Sequence, residues 1–351
     1  MGYSRGLYPS VIKKLNPMIQ LHIQSQETLE EFISTREGET KIGEKLQYCY
    51  SLEAIEQSSA QYVVFGIAED YGVRANYGRR GTANAWDAFL RAFVNVQENE
   101  YNQGEHILLL GYISVIPKDI KYRTPKPIIG DLVKRIDKIV AHIVKTIVAA
   151  GKVPIIIGGG HNNAYGNITG TSQALGYPIN VMNMDAHTDL RTTDYRHSGN
   201  GFSYALSLDA PEEATLDKYS VFGLHKNYTP QYIFDLFKKH QDRLQYHLLE
   251  DTWEEDTTIT KQFEEALPFV SQKAFGLELD CDAITNFPSS ARTPSGLYIN
   301  HVRQFIMSAA SQKECCYFHI CEASPGRKKA GQVGKAISYF VTDFIRTHHA
   351  N

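Results

Sequence analysis

Cysteine is scarce: there are five in 351 residues, at Cys49, Cys281, Cys315, Cys316 and Cys321. None forms a Cys-x-x-Cys pair, which excludes the common structural zinc arrangements, and the set is not the disulfide framework of a small secreted domain. Such usage fits a reducing, cytoplasmic setting. Long hydrophobic runs are missing too. No stretch approaches the roughly 18 apolar residues that suggest a membrane helix, and Met1 to Gln20 lacks the continuous apolar centre of a signal peptide. Gly2 invites a myristoylation reading, but Gly6 stands where that motif wants Ser or Thr. Charge of either sign is not in excess. A net of −3 at neutral pH offers no overall basic field for nucleic acid or anionic lipid, and Arg79-Arg80 and Arg327 to Lys329 read as solvated surface. A soluble intracellular chain is expected, with a large core and without nucleic-acid or membrane partners.

Internal repeats, low-complexity tracts and long linkers are likewise absent. Residues 1–58 are polar and mixed in charge, and read as an N-terminal extension packed on the core, with helices expected over Ser25 to Thr35 and Lys41 to Glu56. Residues 59–351 are expected to form one α/β core domain that would carry any active site. There, short β-branched and aromatic runs alternate with helical periodicity. Gln61 to Ile67, Ile107 to Ile113, Val153 to Ile157, Pro178 to Met184, Tyr219 to Leu224, Leu244 to Leu249, Ala274 to Leu279 and Cys315 to Cys321 read as strands. Gly130 to Ala150 carries apolar residues at Leu132, Ile136, Ile139, Val140, Ile143, Val144, Ile147 and Val148, the spacing of an amphipathic helix. A further helix is expected around Gln231 to His240, and Asp251 to Thr258 reads as an acidic surface loop. This alternation predicts an α/β fold with a mainly parallel sheet covered by helices on both faces. Ligands then gather at the carboxyl ends of the strands.

Those ends are where the chemistry lies. Asp185-Ala-His187-Thr-Asp189 follows one strand, Gly158-Gly-Gly-His161 another, and Asp280-Cys-Asp282 closes a third. The two-residue period in Asp-x-His-x-Asp and Asp-x-Asp sends alternate side chains to one side as a strand runs out. A lone Asp-x-Asp is ordinarily a loop or a cap, and a lone histidine ordinarily a satisfied core residue. Three such groups at three strand ends instead argue for one polynuclear centre. Four aspartates and two histidines without cysteine suit manganese better than structural zinc. Two ions a few ångströms apart can share a water and lower its pKa.

These residues resemble the ureohydrolase superfamily of arginases, agmatinases and formimidoylglutamases. The likeness runs from Gly66 to Pro325 and is carried by Gly72-Val-Arg-Ala-Asn-Tyr-Gly-Arg79 with Gly81, Gly158-Gly-Gly-His161, Asp185 to Asp189, Asp280-Cys-Asp282 and Glu322-Ala-Ser-Pro325. The resemblance implies a three-layer α/β/α, arginase-like fold, two Mn2+ ions and hydrolysis of a guanidino or formimidoyl C–N bond. It makes His161, Asp185, Asp189 and Asp280 ligands of one ion, and Asp185, His187, Asp280 and Asp282 ligands of the other. Glu322 would face the cationic amidine through a charge-assisted hydrogen bond, and Asp189 would move a proton to the leaving nitrogen. A homo-oligomer, trimer or hexamer, is also implied.

Two departures narrow the choice. Arginases place a histidine four residues after the serine of a Ser-Gly-Asn segment, whereas here Ser198-Gly-Asn200 leads to Phe202; they also place Asp before the first metal histidine, where this chain has Gly160. Both features look more like formimidoylglutamase. Arg191 stands where arginases carry Asn near the substrate head group, and a guanidinium pairs bidentately with carboxylate. Ser198 and Asn200 are further head-group candidates, and Arg74 and Arg79 weaker ones. The expected reaction is hydrolysis of N-formimidoyl-L-glutamate to L-glutamate and formamide, a step of histidine breakdown. The alternatives are an arginase or other guanidino hydrolase releasing urea, and a catalytically silent metal-binding regulatory or assembly protein. Asp282-Ala-Ile-Thr-Asn286 replaces a more usual Asp-x-x-Asp-Pro, which predicts a changed loop beside the site. The loops around residues 72–81, 191–204 and 284–297 are expected to shape the pocket.

Overall fold

A computed structural model describes residues 18–116, 120–121, 123–253 and 258–350. Gly2, Gly6 and residues 254–257 of the acidic stretch lie outside the described residues. Among the described residues nine strands form one sheet: β1 Ile19–Ile23, β2 Tyr62–Ala68, β3 Ile107–Val115, β4 Val153–Ile157, β5 Ile179–Met184, β6 Leu216–Leu224, β7 Leu244–Leu248, β8 Phe275–Asp280 and β9 Cys315–Cys321. Their order is β1-β3-β2-β4-β9-β8-β5-β6-β7. Every pairing is parallel except that of β1 with β3.

The apolar runs serve two cores at once, because successive side chains of a strand point to opposite faces. In β2, Tyr62 and Val64 enter one core, with Trp86, Phe89, Phe305, Phe340 and Phe344. Val63, Phe65 and Ile67 enter the other, with Ile136, Val140, Val144, Ile168 and Phe202. Helices Ala85–Phe93, Ile299–Ala310 and Ala330–His349 cover the first face, and Lys126–Ala149 and Asn163–Leu175 cover the second. The fold is the expected three-layer α/β/α. The helix anticipated from Gly130 begins at Lys126, since Pro127 is tolerated in a first helical turn.

The N-terminal part differs from the sequence reading. Ile19–Ile23 adds an edge strand to the central sheet. The expected helix at 25–35 is one turn, Gln26–Leu29, followed by a 3-10 turn. The helix expected at 41–56 is not formed; only the 3-10 turns Ile42–Glu44 and Glu53–Gln57 occur there. Its backbone is drawn into other contacts instead. Gln47 N donates to Ile107 O and Gln47 O accepts from Leu109 N, extending the sheet by a bridge.

β4, β9, β8 and β5 are consecutive neighbours in the sheet. They are the four strands whose carboxyl ends carry His161, Glu322, Asp280 with Asp282, and Asp185 with Asp189. Strand order reverses across this group, the point at which open α/β sheets form a crevice.

Candidate metal centre

The turn after β4 has Gly158 at φ 91° and Gly159 at φ 74°, a left-handed course that glycine adopts without steric cost. It is stitched to β9: Gly158 N donates to Ile320 O at 2.8 Å and Glu322 N to Gly159 O at 3.0 Å. A Cβ on Gly160 would lie 2.6 Å from both Val73 Cγ2 and Asn162 Oδ1. The aspartate of arginases would therefore need the Val73 and Asn162 side chains to shift. Asp189 and Glu322 themselves take left-handed backbone, φ 49° and 58°, and strain of this kind collects at functional sites.

His161 and three aspartates converge. Its Nδ1 lies 3.0 Å from Asp189 Oδ2, 3.1 Å from Asp280 Oδ2 and 3.2 Å from Asp185 Oδ2. No contact has hydrogen-bond geometry, and both nitrogens of this buried ring lack a hydrogen-bond partner among the described residues. One N–H cannot serve three acceptors, whereas a cation can face an imidazole lone pair and three carboxylates together. The four donor atoms lie within 4.8 Å of one another, so the residues fit a metal ion. His187 and Asp282 stand at the edge of the cluster. His187 Nδ1 is 3.5 Å from Asp185 Oδ1, and Asp282 accepts from Ala291 N at 2.9 Å and Ser290 Oγ at 3.3 Å.

The electrostatics describe a site in want of positive charge. Burial pushes the Asp280 carboxyl well above its usual range, and the neighbouring Asp185 and Asp282 charges add to it. Burial likewise raises Asp189 and Asp282. Glu322 rises to about 8 through burial and the Asp282 charge. Burial would depress His187, but Asp185 beside it, with Asp282 and Asp189, lifts it to about 9. A divalent cation offsets such mutually repelling buried carboxylates.

Above the cluster opens a cavity of about 780 Å³, lined by His187, Asp189, Asp280, Asp282 and Glu322 on its floor and by Asn76, Tyr77, Arg79, Arg191, Ser198 and Tyr228 on its walls. Glu322 Oε1 accepts from His161 N at 2.7 Å, and its buried Oε2 makes no hydrogen bond of proper geometry. Arg191 and Arg79 both line the cavity, and neither guanidinium is paired with a carboxylate among the described residues. Ser198 Oγ accepts from Asn76 Nδ2 at 3.1 Å. Asn200 is different. Its Oδ1 accepts from Arg196 Nη1 and His197 N, and its Nδ2 donates to Thr192 O and Tyr195 O. Its amide is thus spent inside the loop, and the head-group role expected for it has no free donor or acceptor behind it. Arg74 is buried beside Asp70 and over Tyr71, supporting its own loop. Thr285 and Asn286 line a separate cavity, so of the expected 284–297 wall only Ser290 and Ala291 reach the site.

Phe202 lies in the core, edge-on to His161. Several supporting residues escaped the sequence reading. Glu69 accepts from Tyr71 N, Gly160 N, Asn162 Nδ2 and Asn163 Nδ2, tying the 72–81 segment to the His161 turn. Arg196 pairs with Asp137 and donates to Asn162 O. Tyr228, on an unexpected wall after β6, stacks on His187; the rule that strand ends bear ligands was the available signal.

A sequence profile of the arginase family matches residues 60–345. Among curated proteins, the formimidoylglutamase of Lysinibacillus sphaericus is 26% identical over 289 residues, 80% of this chain and 83% of that protein. Among solved structures, the formimidoylglutamase of Bacillus subtilis superposes with a TM-score of 0.73 at 18% identity, covering 91% of this chain and 95% of that one. The formiminoglutamase of Trypanosoma cruzi, solved with Mn2+, gives 0.70 at 18% identity over 88% of this chain and 98% of that one. At such identity the superpositions speak for the fold.

Proposed function

This chain belongs to the arginase family, and from that premise we propose that it hydrolyses N-formimidoyl-L-glutamate to L-glutamate and formamide, using two Mn2+ ions. The observation that carries the reading is the polarity of the cavity: a floor of carboxylates with the His187 imidazole, and a wall with two guanidinium groups, Arg79 and Arg191, that have no carboxylate partner among the described residues. A substrate with a cationic amidine at one end and two carboxylates at the other matches that polarity. Formimidoylglutamase is also the name of the curated relative described above.

In this reading His161, Asp185, Asp189 and Asp280 hold one ion, and Asp185, His187, Asp280 and Asp282 the other. When bound, the ions supply Lewis acidity and lower the pKa of water. Arg191, with Arg79 and the Ser198 hydroxyl, holds the glutamyl carboxylates. Glu322 Oε2 accepts an amidine N–H and orients the reacting carbon. Water adds to that carbon, the bond to the glutamate nitrogen breaks, and Asp189 carries the proton from the water to the departing nitrogen. The same reading implies a step of histidine breakdown in the cytoplasm and a homo-oligomer of three or six copies. No helix of the described residues is long and apolar enough to cross a membrane.

The test is product analysis of Mn2+-loaded protein given N-formimidoyl-L-glutamate, L-arginine and agmatine in separate reactions. Formamide and glutamate from the first substrate alone are expected. Urea from either guanidino compound, with the first untouched, overturns the substrate assignment; silence on all three favours a non-catalytic metal-binding protein.

A further inference from the structure

Beneath the metal cluster lies a second buried layer of polar side chains. Glu278 of β8 and His319 of β9 are opposite one another in the parallel register and are both fully inaccessible. His319 Nδ1 is 2.5 Å from Glu278 Oε2, and Tyr317 Oη donates to Glu278 Oε1 at 2.8 Å. The other His319 nitrogen is 3.3 Å from the carbonyl oxygen of Gly158, the first residue of the turn that carries His161. A Cβ on Gly276 would lie 2.0 Å from the Tyr317 ring, so the absence of a side chain there lets the phenol reach Glu278.

A carbonyl oxygen only accepts, so the His319 nitrogen facing Gly158 carries a proton. Its partner nitrogen shares another with Glu278. A charged or strongly polar pair of this kind, wholly inside a sheet, is no better for stability than apolar side chains of the same volume. Its geometry points to a different purpose. His161 Nε2 lies 3.6 Å from the same Glu278 Oε2, on the side of the ring opposite the aspartates that surround Nδ1. A histidine whose Nδ1 lone pair faces a cation must keep its proton on Nε2, and a carboxylate there fixes both the tautomer and the ring's orientation. A metal ion shared between Glu278 and His319 is the competing interpretation. Two ligand atoms on one tetrahedral ion with bonds of about 2.0 Å stand about 3.3 Å apart, well beyond the 2.5 Å found here.

We propose that Glu278 and His319 are positioning residues for His161: the Glu278 carboxylate, 3.6 Å from Nε2, favours the tautomer that keeps its proton there and leaves Nδ1 free for a divalent cation, while His319 anchors Glu278 to the Gly158 turn. This rests on the reading of His161 as a metal ligand.

The experiment is Mn2+ titration of the full chain, followed by calorimetry and by electron paramagnetic resonance, for wild type and for Glu278→Gln, His161→Asn and the double variant, with metal-free melting curves to confirm folding. Glu278→Gln is expected to weaken one Mn2+ site by about ten- to a hundredfold, to leave the site that uses His187 unchanged, and to add nothing further when His161 is already Asn. His319→Gln is expected to weaken the same site and carries the test if Glu278→Gln does not fold. Unchanged affinity in folded variants, or an equal loss in the His161→Asn background, overturns the proposal while leaving the metal site standing. A wild-type protein that takes up no Mn2+ overturns both.

Discussion

The ring of Phe202 stands edge-on to His161, centroids 5.0 Å apart and planes at 88°, and packs on Tyr219 with centroids 4.5 Å apart. The residue that is histidine in arginases is therefore a prop in the core here. Phe202→His places a second imidazole in an apolar pocket and is expected to lower the melting temperature without raising urea release from L-arginine. Phe202→Ala leaves a cavity under His161 and is expected to cost about 3–5 kcal/mol, measured by denaturant unfolding, together with weaker metal uptake.

Arg191 and Arg79 share the cavity wall with no acidic partner among the described residues. A charge-assisted hydrogen bond to substrate contributes about 1.5–3 kcal/mol. Arg191→Gln is accordingly expected to raise KM for N-formimidoyl-L-glutamate about tenfold or more with kcat little changed, and Arg79→Gln to do the same on a smaller scale. A fall in kcat with constant KM would instead mean that these groups act on the reacting end.

Asp137 and Arg196 form a buried pair, with Nε–Oδ2 at 2.9 Å and Nη2–Oδ1 at 3.2 Å, and the guanidinium stands over the rings of both Tyr165 and Tyr204. It also donates to Asn162 O and Asn200 Oδ1. Asp137→Asn strands a buried cation and is expected to cost about 3–5 kcal/mol. The paired change Asp137→Leu with Arg196→Met is expected to recover much of that stability in denaturant melts. Activity should not recover with it, because the guanidinium that donates to Asn200 Oδ1 and Asn162 O is gone.

Removal of metal tests the cluster as a whole. Mn2+ at a hundred times its Kd stabilises the fold by about 2.7 kcal/mol, and chelation should lower the melting temperature accordingly. Asp280 is pushed upward by burial and by its acidic neighbours, so Asp280→Asn relieves repulsion in the metal-free protein. The variant is expected to melt above metal-free wild type and to gain little from added Mn2+. A variant that melts lower and still responds fully to the ion would remove Asp280 from the set.

Much of this site was legible because its donors sit at the ends of apolar runs. Asp185, His187 and Asp189, or Asp280 and Asp282, announce themselves by a two-residue period that any strand would impose. The residues that hold them do not. Glu69 meets Asn163 across 94 residues, Arg196 meets Asp137 across 59, and Glu278 meets His319 across 41; spacing along a chain carries no trace of such contacts. Asn200 reads as a head-group donor by its type and its place in a loop, while the folded loop consumes four bonds of its amide internally. Residues 41–56 read as helix because no proline interrupts them, whereas their backbone is claimed by the sheet at Gln47.

His197 gives a pH dependence that does not involve the metal ligands. Burial, with the Arg196 and Arg191 charges nearby, pulls its imidazole down to about 4, and its Nδ1 accepts from Gly199 N at 3.1 Å. In the unfolded chain the same ring titrates near 6.5. Between those values the unfolded state binds a proton that the folded state refuses, so stability falls as pH drops from about 6.5 towards 4, and the group contributes no slope above 6.5. His197→Asn keeps an acceptor for Gly199 and removes the titration. Melting temperatures of metal-free wild type and variant, measured from pH 7.5 to 4.5, should run parallel above 6.5 and separate below it, with wild type falling faster; parallel curves throughout would mean that the ring takes up its proton without leaving its place.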